Sequence, residues 1–136
     1  MKKLLLVDGN SMLFRAYYAT AYAHPMSSKD GLPTNAVFTF AMMLQKVIDM
    51  IEPQAIMVAF DAGKHTFRHD LYKEYKGGRK QTPDDLIPQF KLTRDYLDAF
   101  NIPWLEMENI EADDLIGSIA KKVKDTKVII LSLIHI

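Results

Sequence analysis

The stretch that decides the fold reads KKLLLVDG at residues 2–9. An apolar run of this length, closed by Asp8 and a glycine, predicts a buried strand that ends at a turn. The pattern returns at residues 54–62, QAIMVAFDA, where Asp61 closes the apolar run. Strands that are apolar along their whole length are typical of a parallel sheet covered on both faces. The two runs therefore predict two strands of a parallel sheet, each ending on an aspartate.

Amphipathic helical patterns separate these strands from two more. The predicted helices lie at residues 12–23, 35–51, about 84–100 and from 111 onward, and the further strands at 102–107 and 127–132. The first helix is expected to be capped by Asn10 or Ser11, and the second to bury Met42 and Met43. This alternation predicts an α/β fold with a mainly parallel sheet flanked by helices.

Composition narrows the class of protein. The chain has 136 residues, no cysteine, and 17 basic residues against 17 acidic ones. The length suits one domain with its own core. Without cysteine, disulfides and thiolate metal sites are excluded, so oxygen and imidazole remain as metal ligands. Because no apolar run approaches the length of a membrane span, we expect a cytoplasmic protein without membrane contact.

Acidic side chains are placed to meet at one edge of the predicted sheet. Glu111, Asp113 and Asp114 crowd into four residues directly after the third strand. In parallel sheets ligands bind at the carboxyl ends of the strands, where Asp8 and Asp61 also lie. Mg²⁺ prefers carboxylate and water oxygens and takes only one or two protein carboxylates per ion. The five acids therefore predict a site for two metal ions.

Each of these acids also has an ordinary structural explanation. Asp-Gly after a strand is a common turn, and acids in a first helical turn interact favourably with the helix dipole. On a helical wheel Glu111 and Asp114 are neighbours, whereas Asp113 points elsewhere, so one of the three can act through water. The metal interpretation is favoured because the acids follow three successive strands.

A basic stretch follows Asp61. Residues 64–80, KHTFRHDLYKEYKGGRK, carry six basic residues against two acids. Rings and cations alternate as in nucleic-acid grooves, where rings stack on bases and cations meet phosphates. The candidate nucleic-acid-binding residues are Arg68, Tyr72, Tyr75, Lys76, Arg79 and Lys80. The alternative is a solvated helix with Lys–Glu pairing.

Four motifs, taken in order, resemble a known family. They are VDGNSMLFRAYYA, GLPTNAVFTF, VAFDAGKHTFRHDLYKEYKGGRK and IEADDLIGSIA. In this order they resemble the 5′ nuclease (5′-3′ exonuclease) domain at the N-terminus of bacterial DNA polymerase I, a member of the flap endonuclease family. The resemblance extends from Lys3 to Ser132.

The resemblance implies a fold, a substrate and roles for individual residues. The fold would be a PIN-like (Rossmann-like) core, and the activity cleavage of DNA at a 5′ flap or 5′ end with two Mg²⁺ or Mn²⁺ ions, by a monomer. Asp8, Asp61, Glu111, Asp113 and Asp114 fall at the family's metal-binding carboxylates. Lys76 and Arg79 fall at its catalytic cations on the scissile phosphate, and Tyr72 at a position that stacks on a nucleotide.

The resemblance ends after residues 127–132. There the family continues with Gly-Asp-x-Asp, which adds two metal ligands, and with a helix–hairpin–helix, whereas this sequence reads LSLIHI. We therefore expect residues 1–132 to be the N-terminal part of the domain, with the helix–hairpin–helix absent, and 133–136 an aberrant tail. The fold would be incomplete at its C-terminus, the second ion poorly bound, duplex binding weak and activity impaired.

Two other functions are compatible with parts of the sequence. A non-catalytic nucleic-acid-binding fragment would keep the basic stretch without needing the acids. A small-molecule phosphohydrolase would use the acids but leave the basic stretch without a purpose. Loss of cleavage with retained DNA binding in Asp8→Asn would indicate a nuclease rather than a binding fragment. Steep salt dependence of binding would indicate a nucleic-acid substrate rather than a small-molecule one.

Overall fold

The computed structural model describes residues 2–20, 27, 29, 31–66 and 83–132. Within these residues four strands and four helices follow one another in a regular α/β order. Their bounds are β1 (Lys2–Asp8), α1 (Gly9–Thr20), α2 (Asn35–Ile51), β2 (Ala55–Thr66), α3 (Ile87–Ala99), β3 (Trp104–Asn109), α4 (Ala112–Lys122) and β4 (Thr126–Leu131). No helix within the described residues is long and apolar enough to cross a membrane.

The four strands form one parallel sheet with the order β3-β2-β1-β4. The central pair aligns Val7 with Val58 and Asp8 with Ala59, so the end of β1 lies beside the middle of β2. The predicted α/β class with a parallel sheet flanked by helices is thereby confirmed. The prediction that the second strand ends at Asp61 is wrong, because β2 continues to Thr66 after a register shift in its pairing with β3. The sheet order still matters for function, because the strands that carry Asp8 and Asp61 are the two central ones.

Alternating side chains of the central strands pack on opposite faces of the sheet, as the period of two in a strand requires. The larger core lies under α1, α2 and α3 and contains Leu5, Val7, Val58 and Phe60. On the other face, Leu6 and Ala59 pack against apolar residues of α4. Both faces are covered, which accounts for the continuous apolar runs in the sequence.

Two helix starts differ from the sequence prediction. Helix α1 begins at Gly9, three residues early, because Asp8 rather than Asn10 or Ser11 is its cap. Helix α3 begins only at Ile87, because a turn precedes it in which the Pro83 carbonyl accepts from the Leu86 amide at 3.0 Å. By contrast, α2 spans the predicted residues.

The two neighbouring methionines of α2 have different environments. Met43 packs against the larger core, as predicted. The prediction for Met42 is wrong, because its side chain is 59% exposed on the outer side of the helix. Adjacent residues on a helix point about 100° apart, and this step takes Met42 off the face of α2 that packs on the core.

A buried polar network ties the three helices of the larger core together. The Gln89 side chain is fully buried, and its Oε1 accepts from the Ala36 amide at 2.8 Å and the Val37 amide at 3.1 Å. Its Nε2 donates to Asn35 Oδ1 at 3.1 Å, and Asn35 Nδ2 donates in turn to Thr20 Oγ1 at 2.9 Å. Within the described residues no buried side-chain nitrogen or oxygen lacks a hydrogen-bond partner, and these bonds fix the start of α2 against α3 and the end of α1.

Candidate active site

The first candidate residue, Asp8, closes β1 and caps α1. Its Oδ1 accepts a hydrogen bond from the Ser11 amide at 3.0 Å, three residues into the helix. This is the usual geometry of an N-cap carboxylate. The side chain is nearly inaccessible, at 7% exposure. Asp8 is thus held in place by the start of the helix that it caps.

Asp61 lies within β2, at the point where the pairing of β2 with β3 shifts register. Hydrogen bonds hold it from two directions. Its backbone amide donates to Asn10 Oδ1 at 3.1 Å, which connects β2 to the first turn of α1. Its Oδ1 accepts from the Ala112 amide at 2.7 Å, the first residue of α4. Asp61 therefore connects the two helices whose first turns border the acidic edge.

The acids of the third group lie at the start of α4. Glu111 is the N-cap residue, is 3% exposed, and does not cap the helix through its side chain. Its carbonyl accepts from the Asp114 amide at 3.0 Å. Asp113 is exposed, and its carboxyl group hydrogen-bonds to that of Asp8. Asp113 thus contacts the acid at the end of β1, although the helical wheel set it apart from Glu111 and Asp114.

The pKa of Asp8 is strongly shifted by its surroundings. Its pKa is raised to about 7, first because burial disfavours the charged form and next because of the hydrogen bond to Asp113. The negative charges of Asp113 and Asp61 raise the pKa of Asp8 further, while the Ser11 amide lowers it. Burial and the neighbouring carboxylates of Asp61 and Asp113 therefore act together on Asp8 at this edge of the sheet.

The donor set fits a divalent cation by its chemistry but is not already folded around one. In the part of the chain that the structure describes, no group of three or more His, Asp or Glu side chains is placed to hold a metal ion. Instead, a carboxylate oxygen of Asp8 accepts a hydrogen bond from the Ser11 amide, and one of Asp61 accepts from the Ala112 amide. The residues that could bind metal are oxygen donors only, which suits Mg²⁺ or Mn²⁺. Binding would require Asp8 to release its proton and the side chains to turn towards the ion.

The remaining sequence predictions fall on residues outside the described ranges. These are the basic and aromatic residues Arg68, Tyr72, Tyr75, Lys76, Arg79 and Lys80, and the tail at 133–136.

Asn10 is a functional residue that the sequence did not identify correctly. The sequence pattern predicts only a helix cap at Asn10, whereas its side chain accepts a hydrogen bond from the backbone amide of Asp61. The signal for the true cap is Asp8 itself, because aspartate is a preferred N-cap residue and it directly precedes the first residue of α1.

Without bound metal, the raised pKa of Asp8 should make the free energy of unfolding depend on pH. Between about pH 4 and 7, folded Asp8 keeps a proton that the unfolded chain, with a pKa of 3.8, releases. The unfolded state then binds fewer protons, so the free energy of unfolding falls as pH rises through this window. The loss should reach at most about 4 kcal/mol at pH 8.

Urea unfolding in EDTA between pH 4 and 9 measures this effect against Asp8→Asn, which lacks the titrating group. The stability difference between the two proteins should widen with rising pH and become constant above pH 8. Parallel curves for the two proteins would contradict the raised pKa. Adding Mn²⁺ should stabilise the unsubstituted protein more at pH 8 than at pH 6, since binding competes with the Asp8 proton.

Comparison with known proteins agrees on one family. The family model described as 5′-3′ exonuclease, N-terminal resolvase-like domain, matches residues 3–133. DNA polymerase I of Bacillus subtilis (strain 168) is 51% identical over 124 residues, which are 90% of this chain and 14% of that protein. The chain therefore spans about a seventh of the length of the curated relatives it matches.

Solved structures of low sequence identity share the fold. A mutant of the T5 5′-exonuclease superposes with a TM-score of 0.61 and 20% identity, over 97% of this chain and 43% of that one. The flap endonuclease of bacteriophage T5, in a pseudo-enzyme–product complex with DNA and metal ions, gives a TM-score of 0.60 and 24% identity over 88% and 44%. These likenesses agree with the predicted PIN-like core.

Proposed function

Because the chain belongs to the 5′-3′ exonuclease, N-terminal resolvase-like domain family, we propose that it supplies the carboxylate edge of a metal-dependent 5′ nuclease. The substrate class is DNA with a 5′ flap or a 5′ end, cut by phosphodiester hydrolysis in replication and repair. The relatives named DNA polymerase I and the T5 flap endonuclease structure with DNA and metal ions support this substrate.

The observation that carries the proposal is the convergence of Asp8, Asp61 and Asp113. Asp8 ends β1, Asp61 lies within β2 and Asp113 lies in the first turn of α4, yet the charges of Asp61 and Asp113 both raise the pKa of Asp8. An acid kept protonated near neutral pH by burial and neighbouring carboxylates is typical of a functional site rather than of a turn. A divalent cation would offset both the burial and the repulsion.

The proposed ligands are the five acids of this edge, and the proposed cofactor is a pair of Mg²⁺ or Mn²⁺ ions. The five proposed ligands are Asp8, Asp61, Glu111, Asp113 and Asp114. When bound, two such ions lower the pKa of the attacking water and stabilise the leaving oxygen in an in-line displacement. The chain itself fixes the acids by capping α1 through Asp8 and by connecting β2 to α4 through Asp61.

The basic stretch is proposed to bind the substrate, on the strength of its residue types and their place in the motif. Arg68, Tyr72, Tyr75 and Lys80 would contact the DNA strand. Lys76 and Arg79 would contact the scissile phosphate and stabilise the negative charge that builds up there. The protein would act as a monomer.

A cleavage assay tests this function directly. A 5′-labelled flap DNA is incubated with excess protein and Mn²⁺, with an EDTA sample and a closed single-stranded circle as controls. We expect cleavage of the flap only, and none in EDTA. Cleavage of the circle at the same rate would remove the 5′-end specificity, whereas hydrolysis of p-nitrophenyl phosphate without DNA cleavage would favour a small-molecule phosphohydrolase.

Metal binding is the second readout and does not depend on turnover. Titration with Mn²⁺ followed by calorimetry or electron paramagnetic resonance should show saturable binding that Asp8→Asn weakens. Flap binding with neither Mn²⁺ binding nor cleavage would favour the non-catalytic nucleic-acid-binding fragment instead.

A further inference from the structure

Arg94 of α3 places its guanidinium group directly on a ring of the sheet. The guanidinium carbon lies 4.1 Å from the centroid of the Phe60 ring and 5.4 Å from that of Trp104. Phe60 immediately precedes the candidate ligand Asp61 and is fully buried. A cation at this distance from a ring face is attracted by the ring quadrupole.

The guanidinium group is itself held in one orientation. Nη1 donates to the Phe90 carbonyl at 3.0 Å, and Nη2 donates to Glu106 Oε2 at 3.2 Å. Glu106 is paired in register with Phe60 on the neighbouring strand. The Arg94 side chain is only 17% exposed, whereas Lys91, one turn earlier in an ion pair with Asp95, is 82% exposed. Arg94 is therefore a partly buried, planar group fixed over the ring, and Lys91 is an ordinary surface residue.

Phe60 is also constrained by Gly9. A Cβ atom at Gly9 would lie 2.5 Å from Cε1 of Phe60, so the ring fills the space that glycine leaves open. Gly9 stands between Asp8 and Asn10, and Asn10 Oδ1 accepts the Asp61 amide. The Phe60 ring thus touches the backbone that carries one acid and belongs to the residue before the other.

We propose that Arg94 is a positioning residue for the carboxylate edge: by holding the Phe60 ring against Gly9, its guanidinium sets the placement of Asp8 relative to Asp61. The proposal rests on the proposed function, because it concerns the same acids. Arg94 does not touch metal or substrate in this role. It acts through one ring, and its effect on the protein is therefore local to the end of β1 and to the part of β2 around Asp61.

The decisive variant is Arg94→Met, which keeps an unbranched side chain and removes the planar cation. Its matched control is Lys91→Met, on the same helix and also in an ion pair. Two quantities are compared: the Mn²⁺ dissociation constant and the amide hydrogen exchange of Asp61, Ala112 and Val58. The Asp61 and Ala112 amides make the hydrogen bonds that hold the site, whereas the Val58 amide donates to the Pro103 carbonyl at 3.0 Å, earlier in the same strand.

We expect Arg94→Met to weaken Mn²⁺ binding about tenfold and to lower protection of the Asp61 and Ala112 amides, with Val58 unchanged. Lys91→Met should match the unsubstituted protein in both measurements. Glu106→Gln, which removes the ion pair but leaves the guanidinium over the ring, should change Mn²⁺ affinity by less than threefold.

Two results would overturn the positioning role. One is unchanged Mn²⁺ affinity and unchanged Asp61 and Ala112 protection in folded Arg94→Met. The other is an equal loss of protection at Val58, which would make Arg94 a general stabiliser of the sheet. If the unsubstituted protein bound no Mn²⁺, the proposed function would fail, and the exchange data alone would still decide the role of Arg94.

Discussion

Asp8→Asn is expected to lower Mn²⁺-dependent flap cleavage by on the order of 100-fold or more while leaving flap binding unchanged. The proposed site depends on negative oxygen ligands, and Asp8, at 7% exposure, is the more buried of the two ligand candidates on the central strands. An amide has one neutral oxygen and binds a hard cation weakly. Mn²⁺ affinity should therefore fall together with cleavage.

The fold should survive this substitution. Asparagine is about as good an N-cap as aspartate, so the bond from the Ser11 amide can be kept. Its amide group can donate to Asp113, as the protonated Asp8 carboxyl does. Because the substitution removes a buried ionisable group whose pKa is about 7, stability in EDTA at pH 8 should rise rather than fall.

The control for Asp8→Asn is Asp95→Asn, the same chemical change on an exposed helix face. Asp95 is paired with Lys91 at 2.9 Å, and surface pairs of this kind contribute roughly 0–1 kcal/mol. Cleavage, metal affinity and flap binding should all be unaffected. If Asp8→Asn retained full cleavage with Mn²⁺, the carboxylate edge would not be the catalytic centre.

The sheet and the position of the acids could be predicted because each depends on local pattern plus one topological rule. Two apolar runs closed by Asp8 and Asp61 indicated buried parallel strands, and parallel strands end at the same edge. The structure pairs β1 with β2 in the centre of the sheet. What the pattern could not give is the strand order, since packing of α4 on the opposite face decides where β4 returns.

The roles of individual residues around the site were harder to predict, because their partners are distant in sequence. The acceptor for the Asp61 amide is Asn10, 51 positions away. The sequence does not distinguish an asparagine that caps a helix from one that accepts a hydrogen bond from a distant strand. Likewise, a helical wheel shows which acids of α4 are neighbours but not which of them faces β1. That depends on how Leu115 and Ile116 seat the helix on the sheet.

Gly9→Ala is expected to destabilise the protein by about 2–3 kcal/mol, although alanine is normally the better helix residue. The added Cβ would lie 2.5–2.8 Å from three atoms of the Phe60 ring. The ring is fully buried and has the guanidinium of Arg94 4.1 Å from its centroid, so it cannot swing away at low cost. Relief requires a shift of the backbone that carries Asp8, and Mn²⁺ affinity should fall as well.

Gly117→Ala in α4 is the matched control, because nothing lies within 4 Å of a Cβ built there. The same change should stabilise the protein by about 0.5–1 kcal/mol, through the better helix propensity of alanine. Urea unfolding of the two variants should therefore give shifts of opposite sign. Equal shifts would mean that the ring at Gly9 yields freely and sets no spacing between the acids.

Combining Gly9→Ala with Phe60→Leu identifies the source of the cost. Phe60→Leu alone removes ring volume and should cost about 1–3 kcal/mol. If the clash with the ring is responsible, the double variant should lose less stability than the sum of the two single losses, since the smaller side chain leaves room for the Cβ. Additive losses would place the strain in the backbone of α1 instead of in the contact between Gly9 and Phe60.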